Sequence, residues 1–244
     1  MEERFSYIFL SLDLFAAALA AGVATSLEWA PCQGAMLNGL LDFSQPAEGF
    51  SDACLARMDG SAVLHDGSAA VPLGAGAVGA RGLSALLLAV GWLGYASRLR
   101  LPVIMRAIVL LPVIPIVWFA VETWSSRDAA SLWNPTIAMG AIEITAIIAA
   151  IAIFLRPGVD ETRNITLIGL FAVAAYGLLH FMGEYALMIA ASEANWDVPP
   201  GMGFPTAAMI GICGALVLYR GLRVSRAAAG AVPSSPTTGR AAFA

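Results

Sequence analysis

The chain contains no lysine, and all 13 of its basic residues are arginine. It has only two histidines, His65 and His180, and three cysteines with no Cys-x-x-Cys pair among them. Two imidazoles are too few for a multi-haem or bis-histidine haem protein, and the absent Cys-x-x-Cys removes the usual redox-active dithiol. Charge is scarce, at 12% of 244 residues, where soluble domains carry about a quarter. A net charge of −4 leaves no basic face for nucleic acid. Glycine-rich stretches such as Gly74-Ala75-Gly76 lack a P-loop or Rossmann context and read as places of close helix contact. No motif for a nucleophile, haem or nucleotide emerges, so neither an enzyme nor a cofactor is expected.

What the chain has is apolar surface: 59% of its residues are hydrophobic. A water-soluble fold has too little interior to hide that much, whereas a bilayer takes about 20 apolar residues per helical crossing. Six apolar stretches run from Phe5 to Glu28, Leu83 to Tyr95, Leu101 to Trp124, Pro135 to Leu155, Ile165 to Ala191 and Phe204 to Tyr219. The second is short and extends outward through the small residues from Ala70 to Ala80. The expected fold is an all-α integral membrane protein, a bundle of about six transmembrane helices over residues 1–226. An outer loop at about 30–70 caps it, and a small, polar, disordered cytoplasmic tail follows over 227–244. The first stretch is longer than a signal-peptide core and Glu2 and Glu3 dilute its positive flank, so it is read as a retained span.

Arginine placement sets the orientation. With the amino terminus inside, Arg4, Arg98, Arg100, Arg106, Arg156, Arg163, Arg220, Arg223, Arg226 and Arg240 fall on or near the cytoplasmic face. Only Arg57, Arg81 and Arg127 fall outside, in accord with the positive-inside rule. Both termini are then cytoplasmic. An arginine-only, Ala- and Gly-rich composition suggests a GC-rich bacterial genome, hence a bacterial plasma membrane. Cys32 and Cys54 share the outer loop, where an oxidising compartment favours a structural disulfide. Cys213, inside the sixth span, reads as a small apolar filler.

Ionisable groups inside the spans are costly unless they have a partner, a wet cavity or a function. Asp13 and Arg106 lie at similar depth from the cytoplasmic side and are expected to form an ion pair between the first and third spans. Glu143 sits near the middle of the fourth span, and His180 and Glu184, four residues apart, share one face of the fifth. Equal depth on antiparallel neighbours brings Glu143, His180 and Glu184 together as the best candidate for function. Such a cluster suits proton or cation handling, and it also works as a polar plug fixing helix packing. A divalent metal is a third option, for which the spacing alone is weak support.

A faint repeat overlays this pattern. Outward-going helices end with a glutamate beside an aromatic residue, at Glu28-Trp29, Glu122-Thr123-Trp124 and Glu184-Tyr185. The fourth and sixth spans both open on Pro-Thr-x-Ala-Met, from Pro135 and from Pro205. Three related hairpins with convergent glutamates would give this, and so would the ordinary aromatic belt with acids near water. Two functions stay open: a small proton- or cation-coupled carrier, or a non-catalytic subunit or assembly factor of a larger membrane complex. Expected partners are the lipid bilayer and, on the second reading, other membrane subunits or further copies of the chain.

Overall fold

A computed structural model describes residues 2–32, 51–59, 74–125, 133–156, 161–192 and 201–230. The described residues are helical, without strands. They form α1 (Glu2–Glu28), α2 (Asp52–Asp59), α3 (Ala75–Ala96), α4 (Val103–Leu110), α5 (Val113–Ser125), α6 (Trp133–Phe154), α7 (Glu161–Val173), α8 (Leu178–Ser192) and α9 (Phe204–Gly230). Five helical segments are long and apolar enough to cross a bilayer, namely α1, α3, α4 with α5, α6 and α9, and α7 with α8 makes a sixth if the bent pair is one span.

Each span follows from its composition. The expected outward extension of the second stretch is seen from Ala75, where α3 begins, and residues 70–73 lie outside the described residues. In the third, Pro112 lacks the N–H that would bond four residues back, and the helix is interrupted at Leu111–Pro112. The Trp92 indole donates to the Val109 carbonyl there at 2.8 Å, satisfying backbone next to the interruption. At the carboxyl end α9 continues to Gly230, so the expected disordered tail is helical over its first four residues, and its remainder lies outside the described residues.

The spans pack in chain order around a ring, α1 against α3, α3 against α5, α5 against α6, α6 against α7, α7 against α9, and α9 back against α1. The centre is filled by large rings: Trp92 and Tyr95 of α3 are fully buried, with Gly169 of α7 beneath Trp92. The Tyr95 hydroxyl hydrogen-bonds Thr166 of α7 at 2.9 Å. Leu19, Leu27, Ile144, Ile151 and Leu155 are exposed, giving the apolar outer surface that a lipid-facing bundle requires. Buried hydroxyls bond carbonyls of neighbouring helices, Ser11 to Gly214 at 2.9 Å and Ser84 to Ala17 at 2.8 Å, as polar groups do where no water is present.

A second, smaller core covers one end. Trp29, Cys32, Cys54, Met58 and Met202 are buried together, with Leu55, Phe181 and Tyr185 packed against them. Cys32 and Cys54 form the expected disulfide. Ser51 caps α2 by accepting the Cys54 N–H at 3.2 Å, while its own hydroxyl donates to the Pro31 carbonyl. The Trp29 indole donates to the Met202 carbonyl at 2.9 Å, tying the end of α1 to the turn before α9. The rest of the expected outer loop lies outside the described residues.

Candidate functional site

The fifth apolar stretch is not the continuous span its composition suggests. After α7, a short 3-10 turn (Ala174–Tyr176) leads to extended backbone at Gly177 (φ −80°, ψ 163°), and α8 leaves at 73° to the preceding helix. Segment 161–176 rises only about 24 Å, short of a hydrocarbon core about 30 Å thick, so by length it would need α8 to make up a full crossing. A helix that starts anew exposes backbone N–H groups without intrahelical partners. Here Glu143 of α6 supplies the acceptor: its Oε2 takes the Leu179 N–H at 3.3 Å and lies 3.4 Å from His180 Nδ1.

The close fit explains the glycine at the break. A Cβ on Gly177 would collide with the Glu143 carboxylate and with the Ala174 carbonyl. Glu143 is 8% exposed. The direction of the His180 Nδ1 contact follows the tautomer of the ring. His180 Nε2 is buried with no hydrogen-bond partner among the described residues, and the Phe171 ring lies 4.7 Å from the imidazole, centre to centre.

Glu184, one turn further along α8, makes the same kind of contact with a different helix. It accepts the Gly203 N–H and the Thr206 hydroxyl, capping α9 from outside. Gly203 has φ +108°, a left-handed conformation that favours glycine, and a side chain there would also strike Thr25 of α1. Two buried glutamates thus hold the amino ends of two helices that are not their own.

The bend opens a cavity of about 660 Å³ between α6, α7, α8 and α9, open to the outer surface along exposed Ile147, Phe171, Leu179 and Leu187. Its polar side chains are Glu143, His180, Glu184 and Thr206; the rest of the wall is aliphatic apart from Phe171. Among the described residues, no arginine lines it. The three residues singled out from the sequence therefore share one cavity, with Glu143 and His180 in contact and Glu184 engaged with α9.

On the far side of the break lies a second polar group that sequence reasoning missed. Arg81 of α3 pairs with Glu28 of α1, and the Tyr176 hydroxyl donates to Ser84, one turn from Arg81, at 2.8 Å. The Phe119 ring stacks on Tyr176 at 5.0 Å. Arg57 of α2 is buried over Glu28, and burial lowers its guanidinium pKa while Glu28 opposes that shift. The available signal was Glu28 at the outer end of α1 and Arg81 in the outer part of its antiparallel neighbour.

One sequence expectation fails. Asp13 and Arg106 do not pair. Asp13 packs against Gly91 of α3 with Oδ2 buried and without a partner among the described residues, while Arg106 donates to the Leu99 and Leu101 carbonyls at 3.1 and 3.5 Å. Equal depth fixes height but not direction around the bundle, and α4 packs against α6 and α3. The three hairpin glutamates make separate contacts. Glu28 meets Arg81, Glu122 accepts from Trp118 of its own helix at 3.0 Å, and Glu184 holds α9.

Among the described residues, no group of three or more His, Cys, Asp or Glu side chains is placed to hold a metal ion. The chain matches no protein-family model, no curated protein and no solved structure.

Proposed function

We propose that the chain is a non-enzymatic, proton- or cation-coupled carrier of a bacterial plasma membrane, with both termini cytoplasmic and Glu143 and His180 as its coupling site. The observation that carries this reading is the position of the pair: a carboxylate and an imidazole meet at a break in an apolar helix and face a cavity. Intramembrane ionisable groups are expensive and concentrate on ion and proton pathways, and interrupted helices line the binding sites of many transporters. An ionised Glu143 suits the positive amino end of α8. Adding a proton or a cation to it weakens that attraction, so occupancy of the site biases the angle between α7 and α8. Glu184 is the other acid on the cavity, and Leu167, Leu170 and Phe171 of α7 and Pro205, Thr206 and Met209 of α9 add no charge.

The test is flux into proteoliposomes under an imposed pH gradient, across a panel of labelled solutes. Wild-type protein is expected to move at least one solute in a gradient-dependent way. Glu143→Gln and His180→Ala are each expected to lower that flux by about tenfold or more, with normal yield and monodispersity. Absence of any gradient-driven flux, with a membrane partner co-purifying from the source cells, would replace this reading by the subunit or assembly-factor role.

A further inference from the structure

The cavity also carries information about what it would hold. We infer that it takes a lipophilic monocation, an organic molecule with a bulky apolar body and a single positive charge. This deepens the carrier reading and rests on it for the site's role in transport, though not for binding itself.

Three observations narrow the choice. The volume, about 660 Å³, falls in the range of sites for drug-sized organic ligands, roughly 300–1,000 Å³. A bare or hydrated inorganic cation needs a shell of about six oxygen ligands. Here most of the wall is Ala, Ile, Leu and Met, and each carboxylate is already engaged with a helix end. An apolar body fits such a wall where a hydration shell does not.

The sign of the charge follows from the polar minority. Glu143 and Glu184 are both acids, both are less than a tenth exposed, and among the described residues no arginine faces the cavity to balance them. An anion entering this space would meet two buried carboxylates, with only the His180 imidazole and the Thr206 hydroxyl as donors to set against them, an unfavourable juxtaposition in low dielectric. A neutral ligand would gain nothing from the charge of either acid, each of which already accepts from a helix end. A cation between them offsets their charge, and the Phe171 ring adds an aromatic face of the kind that attracts cations.

The experiment compares two ions of the same shape and opposite charge. Full-length protein in nanodiscs is titrated with tetraphenylphosphonium and with tetraphenylborate, and empty nanodiscs correct for partition into lipid. Saturable phosphonium binding is expected, with the borate at least tenfold weaker. Glu143→Gln and Glu184→Gln should each weaken phosphonium binding about tenfold. Ala150→Phe, which fills the cavity without changing its charge, should abolish it. Equal binding of the two ions by wild-type protein overturns the inference without recourse to any variant, as does phosphonium binding that survives Ala150→Phe. Phosphonium binding without gradient-driven flux supports the ligand class and removes the carrier. Glu143-dependent flux of other solutes with no phosphonium binding overturns the class and leaves the carrier standing.

Discussion

At the scale of single residues, the site turns on Gly177. A methyl group there must displace both the Glu143 carboxylate and the Ala174 carbonyl, and overpacking of this kind costs about 1–3 kcal/mol. A Cβ added at Gly183, six residues on, meets nothing within 4 Å, so alanine there relieves a helical glycine instead. Gly177→Ala is therefore expected to lower the thermal unfolding midpoint in detergent and, on the proposed carrier reading, to reduce transport, while Gly183→Ala leaves the midpoint unchanged or raised. Equal midpoints for the two variants would remove the fit between Gly177 and Glu143. The sequence named Glu143 and His180 as neighbours by counting depth along antiparallel spans, whereas their contact is made at the bend, which that count did not contain. The partner of Arg106 was not legible, because counting residues gives no azimuth.

At the scale of elements, the spans were legible and the break was not. Apolar runs of about 20 residues carry their own signal, and α1, α3, α6 and α9 lie where those runs lie. Segment Ala174-Ala175-Tyr176-Gly177-Leu178 contains no proline, and a lone glycine in an apolar run is a weak breaker. What stabilises the break is a carboxylate 36 residues before Leu179, a contact that no local pattern encodes. The cap shows the opposite case, since two cysteines in one outer loop already implied the crosslink. That disulfide spans a sequence separation of 22 and is worth on the order of 3 kcal/mol by loop entropy. Cys32→Ser with Cys54→Ser, or reductant, is expected to lower the thermal midpoint, whereas Cys213→Ser, which touches no crosslink, should leave the response to reductant intact. A midpoint indifferent to reductant would mean that the small core of Trp29, Met58 and Met202 holds the cap without the crosslink.

At the scale of the whole molecule, the ring closes by packing the last helix against the first, α9 against α1. Ser11, Tyr7 and Leu14 of α1 meet Gly214 and Gly221 of α9 at close range, and Arg220 of α9 pairs with Glu161 of α7 at 2.9 Å. That ion pair is about one-third exposed on each side, so it contributes at most about 1 kcal/mol, and closure rests on the small-residue contacts. The order of elements around the ring repeats the order along the chain, which is why a reading from hydropathy alone came close to the architecture. It could not supply the tilt of α8 or the cavity that the tilt creates.

The dependence of α8 on Glu143 has a consequence for biogenesis. On the membrane reading, a segment that needs an acceptor from α6 cannot settle by itself as it leaves the ribosome, whereas α6 is made first and waits for it. A fragment covering residues 157–244 expressed alone should be degraded or trapped outside the bilayer. Co-expression with residues 1–156 should rescue it, and Glu143→Gln in that first fragment should weaken the rescue. Vectorial synthesis thereby delivers the acceptor before the donor, so the chain's direction of growth is part of what makes a broken span tolerable.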